Sequence, residues 1–129
     1  MKPNIQLDTL IAEKVFGWKK IPLPDKNREL EWMWDRKEGC FWYDAQTVPP
    51  YSTDPFFGWE VVTKLRELFP YARLNLLMTN DDALGPGLKY EFSIVHYMGM
   101  GDFFERARCV GDSVPEAICM AALKAVEST

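Results

Sequence analysis

Side chains that act as nucleophiles, proton carriers or metal ligands are scarce in this chain. His96 is the only histidine, and Cys40, Cys109 and Cys119 stand far apart without a Cys-x-x-Cys pair. Structural and catalytic zinc sites need several histidine or cysteine ligands, so the sequence predicts no metal site. His96 lies at the end of a predicted strand, where we expect a hydrogen-bonded structural histidine.

Motifs for nucleophilic, acid–base or phosphate chemistry are also missing. No serine or cysteine lies in a nucleophile elbow such as G-x-S-x-G, and Cys119 falls in an alanine-rich helix, where a packed thiol is expected. Asp81 and Asp82 are adjacent and do not follow the spacing of a calcium loop. The glycine-containing stretches 85–87 and 99–101 lack the sequel of a phosphate-binding loop. We therefore expect no catalytic residue, no cofactor and no enzymatic activity.

One group of residues favours the binding of a small anion. Period-two alternation places Phe104, Arg106 and Arg108 on one face of a predicted strand. Three residues of the preceding predicted strand are expected to complete that face: Lys89, Ser93 and Tyr97. Guanidinium groups bind phosphate or carboxylate with two donors, and aromatic rings stack on bases, so the set suits a nucleotide-like ligand. The alternative is a solvated face whose arginines pair with Glu91 and other acids.

A second candidate surface is aromatic. Several aromatic side chains fall within residues 31–44, and they are Trp32, Trp34, Phe41, Trp42 and Tyr43. A two-stranded ribbon cannot bury all of them on one face, and exposed aromatic patches of this size mark interfaces. We expect these side chains to be buried either under the N-terminal helix or in a homo-oligomer.

Length, charge and cysteine usage limit the class of protein. The 129 residues suffice for a single domain, 1–129, in which residues 1–6 form a loose leader. The net charge of −4 provides no basic footprint for duplex nucleic acid. No apolar run is long enough for a signal peptide or a membrane span, and unpaired cysteines fit a reducing compartment. The sequence predicts a cytoplasmic protein without a membrane partner.

Capping and periodicity predict the elements of the first half. A helix is expected from Asp8 to Phe16, with Asp8 as its N-cap and Gly17 at its C-terminal end. Residues 19–30 are predicted to form a loop. The segment 31–44 has two aromatic runs around a charged turn, which indicates a β-hairpin.

The second half predicts a more regular arrangement. A helix begins at Asp54-Pro55 and ends before Pro70, because apolar residues recur there at three- and four-residue intervals. Three antiparallel strands and a last helix follow at 73–79, 89–98, 103–110 and 114–126, and Ser113 and Glu116 stand at capping-box spacing. The order indicates the α+β class, an antiparallel sheet with helices packed on it.

Three stretches of the chain resemble the phage ABA-sandwich domain family. They are LDTLIAEKVFGW at 7–18, VPPYSTDPFFGWEVVTKL at 48–65 and VGDSVPEAICMAALKAV at 110–126. The resemblance implies a bacteriophage or prophage origin, hence a bacterial host cytoplasm, and a three-layer α-β-α sandwich; it implies no activity. The sequence departs from the family's pattern at Met120, where a basic residue is usual, which weakens the case for a charged site on the last helix.

Residues 54–127 also resemble the double-stranded-RNA-binding domain in their helix–three strands–helix order. In that domain a lysine-rich start of the last helix grips phosphates. Residues 111–116 carry acids and no lysine here, so the resemblance implies the shape without the RNA-binding function.

Two functions are consistent with these residues. The first is a non-enzymatic anti-defence sponge that binds a small, anionic, nucleotide-like signal of host immunity, with Phe104, Arg106 and Arg108 as its central contacts. The second is an interaction module that binds a host or phage protein through an aromatic-rich surface. Either function is compatible with a homo-oligomer.

Overall fold

The computed structural model describes residues 4–22, 32–35, 47–80 and 87–128. Helix α1 spans Ile5–Leu10 and continues directly as a π-helical turn at Ile11–Val15. Its N-cap is Asn4, whose side chain accepts a hydrogen bond from the backbone N–H of Leu7 at 3.1 Å. The predicted N-cap at Asp8 is wrong, because this carboxylate points into the protein and is 2% exposed.

The end of this helical segment agrees with the prediction. Gly17 has a φ of 76°, a left-handed conformation that glycine adopts without steric cost. The chain then enters strand β1, Lys19–Pro22, which pairs antiparallel with β2, Trp32–Asp35. The predicted loop over 19–30 is therefore wrong at its start, and residues 23–30 lie outside the described residues. Pro22 is the last residue of β1, and proline is tolerated in edge strands.

The hairpin predicted over residues 31–44 is only partly described. Residues 32–35 do form a strand, but its described partner is β1 rather than the following aromatic run. Residues 36–46 lie outside the described part of the chain. Strand β1 comes directly after the N-terminal helical segment. Its pairing with β2 therefore brings Trp18 and Trp34 together, with ring centroids 6.1 Å apart.

Helix α2, Pro55–Leu68, begins and ends where the sequence predicts. The Asp54 side chain accepts a hydrogen bond from the backbone N–H of Phe56 at 2.9 Å, and Pro55 occupies the first turn. This N-cap satisfies one of the free donors at the helix start. The backbone N–H of Phe69 donates to Leu65 at the other end, next to Pro70.

Helix α3, Val114–Glu127, begins with the predicted capping box. The backbone N–H of Glu116 donates to Ser113 Oγ at 3.3 Å. The Glu116 carboxylate in turn accepts from the backbone N–H of Asp112 at 3.2 Å. The side chains of Ser113 and Glu116 therefore both have a local partner.

Strands β3 (Ala72–Thr79), β4 (Lys89–Gly99) and β5 (Asp102–Gly111) form an antiparallel sheet in the order β3-β4-β5. Helix α3 packs on β4 and β5, and α2 packs on α3. The α+β class is therefore confirmed, and so is the helix–three strands–helix order.

The two faces of this sheet have different surroundings. The core face carries Phe92, Ile94 and Ala107, which belong to the buried cluster shared with α2, α3 and the N-terminal helical segment. The open face carries Ser93 and Arg108, which pair with each other in the β4–β5 ladder. Helices α2 and α3 both contribute to the core on this side of the sheet.

The junction between β5 and α3 is tight. A Cβ atom added to Gly111 would lie 2.8 Å from the backbone nitrogen of Ala117. Only glycine allows this approach without displacement of the helix backbone. Among the helices that the structure describes, none has the length and apolar character that crossing a membrane requires.

Candidate binding surface

A β-bulge interrupts β5 at Arg106. Ile94 pairs with Ala107, but the next residue of β4, Val95, pairs with Glu105. Arg106 is therefore an extra residue without a partner position in the ladder. One extra residue reverses the alternation of the side chains beyond it.

The bulge separates the three residues that were predicted to share a face. Phe104 pairs with His96, and the Arg106 side chain also reaches His96, so both lie on the core-face side. Arg108 pairs with Ser93 and lies on the open face. The predicted common face is therefore wrong in this respect, because strict period-two alternation holds only in an unbulged strand.

Arg106 is held by aromatic and imidazole rings. Its Nε donates to Nε2 of His96 at 2.8 Å, and its guanidinium carbon lies 4.6 Å from the ring centroid of Phe69. Because Nε2 accepts this bond, neutral His96 carries its proton on Nδ1. Burial, followed by the Arg106 charge, lowers the pKa of His96. His96 is thus the hydrogen-bonded structural histidine that the sequence predicts.

Arg108 is held by acids of the open face. Its Nη1 lies 2.9 Å from Glu91 Oε1, and its Nη2 lies 2.8 Å from Glu105 Oε2. This is the arrangement of the alternative interpretation, in which the arginine pairs with Glu91 and other acids. Lys89 likewise pairs with Asp112. An incoming anion at these cations has to compete with carboxylates already in place.

The other two predicted ligand residues differ in access. Ser93 is 5% exposed and lies in the central strand between its neighbours, whereas Tyr97 is half exposed. Tyr97 has a partner that the sequence did not reveal, since the guanidinium carbon of Arg73 lies 4.7 Å from its ring centroid. Arg73 pairs with Val95 on β4, one diagonal step from Tyr97. The contact between Arg73 and Tyr97 depends on the register of β3 against β4, which the sequence alone does not reveal.

Large apolar side chains are exposed where β3 begins, β4 ends and β5 begins. The pairs Ala72–His96 and His96–Phe104 bring the three strand ends together. Six residues there are between 53% and 105% exposed, and we call them the apolar end: Tyr71, Tyr97, Met98, Met100, Phe103 and Phe104. The sequence predicts a turn at 99–101 but does not reveal that this turn exposes large apolar side chains.

The β4–β5 turn holds Met100 away from the sheet. Gly99 and Gly101 have φ values of 86° and 84°, and Met100 itself has a φ of 53°. A left-handed conformation is uncommon for a residue with a side chain. The side chain that occupies it is the most exposed one of the apolar end.

The two described tryptophans of the predicted aromatic surface, Trp32 and Trp34, pack within this chain. Trp34 is buried, and Trp32 is half-buried with its ring 5.2 Å from that of Trp34 in an edge-on contact. The Lys20 Nζ lies 4.6 Å from the Trp32 ring. These contacts place both tryptophans inside this chain. Phe41, Trp42 and Tyr43 lie outside the described residues.

A cavity of about 510 Å³ lies between the N-terminal helix, α3 and β5. Its lining is mainly apolar and includes Leu7, Leu10, Cys109, Met120, Leu123 and Lys124. Burial raises the pKa of the Cys109 thiol, so it is protonated at neutral pH. Met120 contributes a thioether to this lining.

Asp8 is a buried carboxylate with a structural role. Asp8 Oδ1 accepts a hydrogen bond from the backbone N–H of Ser52 at 2.8 Å, which ties the N-terminal helix to the segment before α2. Burial raises the pKa of this carboxyl group, and the interactions with Ser52 oppose that rise. Within residues 4–22, 32–35, 47–80 and 87–128, no three histidine, cysteine or acidic side chains are placed to hold a metal ion.

Comparison with models of protein families gives one match. Residues 9–123 match the phage ABA sandwich domain, a range that includes both sheets and the whole apolar end. No curated protein and no solved structure matches the chain significantly.

Proposed function

This chain belongs to the phage ABA sandwich domain family, and we propose that it is a non-enzymatic phage accessory protein that binds a host or phage protein through its apolar end. The observation that carries the proposal is the exposure of six large apolar side chains at one end of the β3–β5 sheet. Exposed large apolar side chains that are grouped at one place mark interaction sites on soluble domains.

The composition of the apolar end supports a protein as its ligand. Tyrosine, phenylalanine and methionine are the residue types enriched in protein interfaces. Methionine side chains also adapt to irregular surfaces, and their sulfur contacts aromatic rings favourably. Met98 and Met100 stand beside Phe103 in this group, with exposed fractions of 70%, 105% and 64%.

The state of the titratable groups supports binding rather than turnover. Nε2 of His96 already accepts a hydrogen bond from Arg106, which leaves it without a free basic nitrogen on that side. Burial raises the pKa of the Cys119 thiol far above neutrality, so this group is not a thiolate. The proposed activity needs neither group.

Capture during infection tests the proposal. The tagged chain is expressed in its bacterial host during phage growth, and retained proteins are quantified for the wild type, Met100→Glu and Leu77→Glu. Leu77 is a matched control, because it is also an exposed apolar residue of the sheet (56%), near the opposite end. We expect a discrete partner with the wild type and Leu77→Glu that is lost with Met100→Glu. Equal retention of the partner by the wild type and both variants would reject the proposal.

A second candidate function is the sponge for a nucleotide-like signal of host immunity, now centred on Arg73 and Tyr97. The stacked guanidinium and phenol ring on the open face support it, since such a pair offers donors for a phosphate and a ring for a base. Unlike Arg108, Arg73 has no ion pair among the described residues.

Thermal shift against cyclic nucleotides and cyclic ADP-ribose isomers tests this second function. A ligand at about 100 times its Kd stabilises the native state by about 2.7 kcal/mol, which raises Tm by several degrees in a chain of this size. Arg73→Ala should abolish the shift, and Arg66→Ala on α2 serves as the matched control. The absence of a shift with every compound excludes the sponge function for that panel.

A further inference from the structure

We propose that the partner of the apolar end is a second copy of this chain, bound end to end around a twofold axis perpendicular to the sheet. This inference rests on the proposed protein-binding function and names the partner of the same surface. It is supported by the area of the apolar end and by the charges at its rim.

The exposed area matches what a stable dimer requires. The six side chains of the apolar end are between 53% and 105% exposed. Since a large side chain of this kind covers about 150–250 Å², the group offers on the order of 900 Å². Specific protein interfaces bury about 800 Å² on each partner. The apolar end alone therefore supplies one half of a symmetric interface.

A twofold interface has to be complementary to itself, because the same surface from both copies meets. The sheet order β3-β4-β5 satisfies this condition. Rotation by half a turn about an axis perpendicular to the sheet sets β4 of one copy against β4 of the other, and β3 of one against β5 of the other. Met100, in the β4–β5 turn, then faces the side of the partner copy on which Tyr71 lies.

The charges at the rim fit the same arrangement. Asp102 is the first residue of β5, and Arg73 is the second residue of β3. In the described part of the chain neither has an ion pair, whereas Glu105 is engaged by Arg108. The rotation brings Asp102 of each copy towards Arg73 of the other. Opposite charges at matching positions fix the register of an interface and disfavour other pairings.

A lipid surface fits the apolar end less well. Membrane-binding turns place lysine or arginine beside their apolar residues to meet anionic headgroups. Residues 97–105 carry Asp102 and Glu105 and no basic residue, and the whole chain has a net charge of −4.

Sedimentation equilibrium of the full chain at micromolar concentrations tests the proposal. We expect a monomer–dimer equilibrium in the wild type. Met100→Glu should raise the dissociation constant by about a hundredfold, because roughly a tenfold penalty enters once from each copy. Leu77→Glu should leave the constant unchanged. Circular dichroism of each variant shows that it is folded.

A charge exchange tests the register. Asp102→Arg and Arg73→Asp should each weaken the dimer, and the chain carrying both substitutions should recover it. Met98→Cys, near the axis at the end of β4, should form a disulfide-linked dimer under mild oxidation, whereas Leu77→Cys should not exceed the wild type. Equal cross-linking at residues 77 and 98, or no recovery in the double variant, would overturn the end-to-end geometry.

The outcomes separate this inference from the function on which it rests. A wild-type chain that is monomeric throughout, while Met100→Glu abolishes the capture of another protein, overturns the inference and leaves the proposed function standing. A monomeric chain whose captured proteins are unaffected by Met100→Glu overturns both. Vesicle binding that is lost in Met100→Glu, without a dimer, assigns the apolar end to a lipid surface and also rejects the proposal.

Discussion

Substitution of Asp8 separates the cost of burying a carboxylate from the value of the hydrogen bond that it accepts. Asp8 is 2% exposed, and its Oδ1 accepts the backbone N–H of Ser52 at 2.8 Å. Asp8→Asn keeps an acceptor oxygen and nearly the same shape but removes the charge. Asp8→Ala removes the charge and the acceptor together. The two variants therefore differ mainly in whether the backbone N–H of Ser52 keeps a hydrogen-bond acceptor.

The expected magnitudes follow from that difference. Asp8→Ala leaves a buried donor without an acceptor, which costs about 1–3 kcal/mol. For a chain of this length each kcal/mol corresponds to about 3 °C in Tm, so we expect a decrease of roughly 3–9 °C. Asp8→Asn should lose less, because burial already disfavours the ionised carboxyl group, as its raised pKa indicates.

The pH dependence of the two proteins gives a second, independent test. The pKa of Asp8 is raised in the folded state above its ordinary value of 3.8, so the native state binds a proton more tightly than the unfolded chain. The contribution of Asp8 to stability therefore falls as pH rises from 3.8 to the folded-state pKa. Asp8→Asn does not titrate, and should gain stability relative to the wild type over that window.

Thermal unfolding followed by circular dichroism from about pH 4 to pH 7 measures both effects. The other carboxylates are common to the wild type and Asp8→Asn, so the difference in Tm isolates Asp8. Equal Tm values for Asp8→Asn and Asp8→Ala would show that the Ser52 hydrogen bond contributes nothing. A relative loss of stability in Asp8→Asn as pH rises would contradict the direction of the pKa shift.

Three further predictions concern the sheet and α3. Gly111→Ala should lower Tm by several degrees in a melting experiment, since its Cβ would lie 2.8 Å from a backbone nitrogen of α3. The lowered pKa of His96 means that stability is lost as pH falls below 6.5 towards the folded-state pKa. His96→Gln lacks the imidazole that accepts from Arg106, so its Tm should depend less on pH when melting is measured at several pH values. Cys119, buried with a strongly raised pKa, should be alkylated more slowly than half-buried Cys109 in native protein, as measured by mass spectrometry.

Elements whose stabilising contacts are local were predictable from the sequence. The N-cap of α2 is a bond between Asp54 and Phe56, and that of α3 is a bond between Ser113 and Glu116. Both pairs lie within three residues, so spacing alone reveals them. The three strands of the β3–β5 sheet were found for a similar reason, since turns and breaks in the pattern delimit them.

Features that depend on distant partners were not predictable in the same way. Asp8 has the sequence context of an N-cap, but its hydrogen-bond partner is Ser52, 44 residues away. Lys19–Pro22 contains lysines and a proline and has the composition of a loop, yet β2 provides a strand for it to pair with. Pairing across such separations is set by the assembled core rather than by the local sequence.

The candidate site shows the same division. The sequence places cations and aromatic residues on β4 and β5. The partners of these side chains depend on the register between the strands, which the sequence does not show. Glu91 and Glu105 reach Arg108 because the strands align as they do, and Arg73 reaches Tyr97 across the β3–β4 ladder. The exposed apolar end required knowledge of which strand ends meet.

The bulge at Arg106 gives β5 two phases, one for residues 102–105 and another for residues 107–111. If Arg106 occupied a regular position in the ladder instead of a bulge, the first part would be rotated by half a turn relative to the second. Phe103 would then face the helices, and Phe104 would move to the solvent side. The bulge, more than the composition of β5, therefore decides on which side of the sheet each of the two adjacent phenylalanines lies.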